Sequence, residues 1–107
     1  MAELDVAVTR FAAATVPWTP TAWAAPAPGV PGASRADVVH HLVQRLADLA
    51  ATAESQTHRP VPRLDNDLAL PDQLRVVTAD LLAAAPSPAH LAAAETALST
   101  ARTALWG

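Results

Sequence analysis

Apolar positions recur three and four residues apart in four blocks of the chain, and nowhere do they alternate with period two. In the first block Leu4, Val8, Phe11 and Thr15 form one stripe, flanked by Ala7 and Ala14. A period near 3.6 places such positions on one helix face, so the spacing predicts a helix over about 2–15. Val16 and Pro17 end it, because a residue before proline avoids helical dihedrals. In the second block Val38, Val39, Leu42, Val43, Leu46, Leu49, Ala50 and Ala53 make a broad apolar face. Ser34 and Asp37 supply a capping-box pattern at its start, which predicts a helix over about 34–55. Asp37, His41, Gln44, Arg45, Asp48 and Thr52 fall on its polar side.

Pro60 and Pro62 forbid helix in "QTHRPVPRLDND". A third stripe, Leu70, Leu74, Val77, Leu81 and Ala84, predicts a helix over about 68–85. Ser87 as cap and Pro88 as first helical residue open a fourth helix over about 88–106. Its seam of Leu91, Ala94, Leu98, Ala101 and Leu105 alternates three and four, with small residues that permit close helix approach.

The stretch 16–33 breaks this rhythm. It holds five of the ten prolines, with Trp18 and Trp23 among them. It reads as a stiff, non-helical crossover, its two tryptophans turned inward over the ends of the first two helices. Pro17-x-x-Pro20 and Pro28-x-x-Pro31 also have the minimal spacing of a polyproline ligand. The expected architecture is all-α: a single domain, 1–107, folded as a compact four-helix bundle with a long Pro/Trp-rich crossover between helices 1 and 2.

Composition narrows the chemistry. There is no Cys, no Lys and no Tyr. A thiolate nucleophile, a disulfide, a Schiff base and a P-loop are therefore excluded. The net charge is -3 with no basic block, so a nucleic-acid partner is not expected. Glu3 and Asp5 stand where a signal peptide carries bases, and no segment is long and charge-free enough for a bilayer. The expectation is a cytoplasmic protein with no membrane partner.

Candidate sites are few. His40 and His41 are adjacent, so on a helix they point about 100° apart and cannot face one metal together. Asp37 and His41, four apart, share a side but lack further ligands at helical spacing. "LDNDLALPDQL" lacks the glycine and closing glutamate of a calcium loop. "HRPVPR" gathers His58, Arg59 and Arg63, a basic loop that pairs with acids such as Asp65 and Asp67 or takes an anion. No serine stands in a nucleophile-elbow setting. Glu95, Ser99, Arg102 and Trp106 line one edge of the last helix, where Arg and Trp suit a partner-binding edge.

The stretch from Trp18 to Leu49, read as "W…P…PG…SRADVVHHL", resembles the N-terminal region of DinB-like, mycothiol-dependent maleylpyruvate isomerases. The matching positions are Pro31, Gly32, Asp37, Val38, His41 and Leu42. In that family the His before Leu ligates a metal, so the resemblance implies a helical bundle and a ligand role for His41 alone. Ala33 stands where the family has Trp, and no later helix offers its paired histidines.

The functional expectation is a small non-catalytic helical interaction or assembly module without a cofactor. It would bind a protein partner or itself through an apolar helix face, with Trp18, Trp23, Arg102 and Trp106 as anchors or packing residues; a homodimer through the last helix is one form. The alternatives are a DinB-like enzyme using a metal or thiol cofactor, or a relative that has lost its metal site, and a binder of small apolar ligands between the helices.

Overall fold

The computed structural model of the chain describes residues 3–107. It is all-α. Four long helices, α1 (Glu3–Thr15), α3 (Arg35–Ala53), α4 (Leu70–Ala83) and α5 (Pro88–Trp106), form the bundle. Ala2, at the predicted start of the first helix, lies outside the described residues. α4 packs between α1 and α3, and α5 packs against α3 and more lightly against α1. The predicted stripes face the centre. Leu4, Val8, Phe11, Leu42, Leu46, Leu74, Leu81, Leu98 and Leu105 are all buried, an apolar burial that is the main stabilising term.

One element departs from the expected four helices. The crossover contains a short helix, α2 (Pro20–Ala24), where the prolines predicted none. The physical reason is local. Thr19 caps it, its hydroxyl accepting from the Ala22 amide at 3.2 Å, and Pro20 sits in the first turn, where its missing N–H costs nothing. α2 delivers Trp23 to the core, where it is 1% exposed.

The crossover then doubles back. The Ala27 amide donates to the Ala33 carbonyl and the Arg35 amide to the Ala25 carbonyl, both at 2.9 Å. At its tip the Gly29 amide donates to the Ala104 carbonyl at 2.8 Å, pinning the loop to the last turn of α5.

Helix ends follow their side chains. Ser34 and Asp37 form a reciprocal capping box on α3. Ser87 and His90 do the same for α5, the His90 ring nitrogen accepting from the Ser87 amide. A 3-10 turn, Asp67–Ala69, capped by Asn66, precedes α4, so the α-helix proper begins two residues later than its pattern predicts. The segment from Glu54 to Asn66 is irregular and is held by Gln44. That side chain accepts from the Val61 amide at 2.7 Å and donates to the Arg59 carbonyl at 3.0 Å, satisfying backbone groups that have no helix of their own.

Candidate functional site

α5 carries two seams. The inner one, with Ala94, Leu98, Ala101 and Leu105 buried and Leu91 half-buried, packs into the bundle. The outer one consists of Ala89, Ala92, Thr96, Ser99, Thr103 and Trp106, all exposed. Its members fall three and four residues apart, as positions on one face of any helix do. No charged residue lies on it. The pattern of apolar residues does not reveal it, because Ala, Ser and Thr contrast too little in hydropathy; the available signal is the absence of charge from that face.

Two hollows flank this helix. Towards α3 lies a groove of about 710 Å³, floored by Val38, Leu42, Ala97 and Ala101 and closed at one end by Val30 and Ala33 of the crossover. Asp37, His41 and Arg45 line its α3 edge. Towards α1 lies a more polar hollow of about 490 Å³, between Arg10, Phe11 and Ala14 of α1 and Ser99, Arg102, Thr103 and Trp106 of α5. Among the described residues, Arg10, Arg102 and Glu95 have no ion-pair partner; the pairs formed involve Arg63, Arg75 and His58.

The aromatic residues meet at one end of the bundle. Trp18 and Trp23 pack edge to face at 4.8 Å, Phe11 and Trp106 at 5.3 Å, and Trp18 lies 5.8 Å from Trp106. The Arg35 guanidinium sits 5.0 Å above the Trp18 ring, a cation–π contact. Trp23 is fully inward, Trp18 is half-buried, and Trp106 keeps 47% of its surface exposed. Arg102 is exposed beside it.

His41 is exposed on the outer side of α3, with Asp37 one turn before it. Asp37 is already engaged: it accepts from the Ser34 amide at 2.9 Å and from Arg63 at 3.0 Å. Those contacts, the backbone amide first, hold its carboxyl below the usual range. Among the described residues no three His, Asp, Glu or Cys side chains converge. The ligand role that the DinB-like resemblance carries onto His41 thus has no companion ligands gathered around it among the described residues.

His40 is half-buried, its Nδ1 without a hydrogen-bond partner among the described residues. Burial first, then the nearby Arg63 charge, pushes its pKa down. In the basic loop Arg63 bridges Asp37 and Asp67, the latter at 3.5 Å, while Asp65 takes no part among the described ion pairs. His58 contacts the Thr52 hydroxyl at 2.7 Å.

No protein family, curated protein or solved structure matches this chain. No helix among the described residues is long and apolar enough to cross a membrane.

Proposed function

We propose that this chain is a small, non-catalytic assembly module that binds a second copy of itself through the outer face of α5. The observation that carries this reading is the outer seam. A helix that already buries one face in its own bundle presents to solvent, over its whole length, a second face of Ala, Ser, Thr and Trp that carries no charge. Small side chains there let a second helix approach closely, where dispersion contacts are dense. Trp106 adds a large, half-exposed aromatic of the kind that anchors interfaces. The test is sedimentation velocity of the full chain over a wide concentration range. A shift from monomer to dimer is expected; a strict monomer at every concentration overturns the reading.

The α3–α5 groove favours a second reading, a site for a small apolar ligand. Its floor is apolar, and its volume falls in the range of small-molecule sites. Ala97 lies on the floor, so Ala97→Phe fills the groove. Saturable binding of a small aromatic probe that Ala97→Phe abolishes supports this reading. Binding unchanged by that substitution places the probe elsewhere.

A further inference from the structure

We infer that the second copy's α5 lies antiparallel to the first, in one register fixed by Glu95 and Arg102. This rests on the self-association proposed above and adds its geometry. The argument begins with the seam. Ala89, Ala92, Thr96, Ser99, Thr103 and Trp106 occupy the two contact positions of a seven-residue repeat. Arg102 lines the hollow on the α1 side, and Glu95, seven residues before it, shares the same flanking position of the repeat. In an antiparallel pair, flanking positions of the same kind face each other across the two-fold axis.

Only one register makes those charges complementary. With the axis passing between Ala97 and Leu98, Thr96 faces Ser99 of the second copy, Ala92 faces Thr103, and Ala89 faces Trp106. Glu95 then faces Arg102 of the second copy, twice by symmetry. Sliding by one repeat in either direction puts Glu95 against Glu95 or Arg102 against Arg102, and like charges across an interface are strongly disfavoured. A parallel pair puts Glu95 opposite Thr100 and leaves both charges unanswered.

The fold supports this arrangement from outside the helix. The hollow beside Arg102 also contains Arg10 of α1, and neither guanidinium has an acidic partner among the described residues. The carboxylate of the incoming Glu95 enters there and meets two positive charges. Trp106, exposed on the same seam, covers Ala89 of the second copy, where a methyl leaves room for the ring. A single pair of 19-residue helices makes a contact at the low end of specific interfaces, so the dimer is weak and concentration-dependent.

The experiment is sedimentation equilibrium of the full chain, loaded up to about 1 mM, on wild type, Glu95→Arg, Arg102→Glu and the double swap. Each single substitution is expected to weaken the dimer about tenfold, and the double swap to return it to within about threefold of wild type. All the sites are exposed, and circular dichroism checks that the helices persist. The chain has no cysteine, so a mixture of Thr96→Cys and Ser99→Cys chains reports the register directly. The mixed disulfide dimer is expected to exceed each self-paired one well beyond the roughly twofold that random pairing of the two chains gives. A dimer that is no weaker in the single charge-reversal variants, or cysteine-bearing chains whose mixed disulfide stays at the random ratio or below it, overturns the register and leaves the assembly reading standing. A wild type that is monomeric throughout overturns both.

Discussion

Gly29 shows how one residue ties distant parts of the chain. A Cβ added there would fall 2.8 Å from the Ala104 Cα and 3.1 Å from two carbonyl oxygens of α5. Both neighbours are backbone and cannot swing aside. Gly29→Ala is expected to cost about 1–3 kcal/mol, the range for overpacking, read as a lower urea midpoint with an unchanged slope. In the sequence Gly29 looks like any turn glycine, since the atoms that require it lie on a helix at the other end of the chain. His40 is a second case. The spacing set it apart from His41 but assigned it to neither face of α3, and the approach of Arg63 from a loop has no signature in the sequence. Its folded pKa lies below the ordinary 6.5, so as pH falls through that region the unfolded chain takes up a proton that the folded chain refuses. Stability is therefore expected to fall from about pH 7 towards pH 5, and His40→Gln to flatten that slope in urea titrations. Asp37 acts in a lower window. Its pKa is depressed from 3.8, so its contribution is complete above that value and is lost as pH falls further.

Helix existence was legible and helix detail less so, and the difference is physical. Leucine and valine at 3.6-residue spacing mark a buried face whatever packs on it. Boundaries depend on a few hydrogen bonds. Ser34 and Ser87 announced themselves as caps, and both accept from the amide three residues on. Thr19 and Pro20 have the same cap-then-proline form as Ser87 and Pro88, yet the surrounding prolines concealed a helix of five residues. That short helix matters for packing, because it makes Trp23 a core residue while Trp18 stays at the boundary. Trp23→Ala is expected to cost about 3–5 kcal/mol, and Trp18→Ala measurably less, in parallel denaturant titrations. Equal losses would mean that the two rings share one buried site. The end of α4 offers the opposite kind of change. Ala85, just past its cap, holds φ at 52°, a left-handed conformation where helices ordinarily place glycine. Ala85→Gly relieves that strain and is expected to raise stability by about 1 kcal/mol, seen as a higher melting temperature.

At the scale of the whole molecule, the bundle was legible from its stripes, whereas the candidate face was only half legible. The edge formed by Glu95, Ser99, Arg102 and Trp106 stands out by residue type. The seam beside it does not, because alanine, serine and threonine are as much at home on an idle surface as in a contact. What separates the two cases is the fold: once the inner seam is seen buried, the outer one is left regular, uncharged and uncovered within one copy. That distinction has a thermodynamic consequence. A dimer that forms only from folded chains draws the equilibrium towards the folded state as concentration rises. For a domain of this size, a hundredfold increase through the dissociation constant is expected to raise the melting temperature by about 5 °C. Glu95→Arg is expected to match wild type when dilute, since Glu95 is exposed and has no ion-pair partner among the described residues, and to fall behind as both are concentrated. A melting temperature for wild type that is flat across that range would mean the outer seam of α5 stays in water.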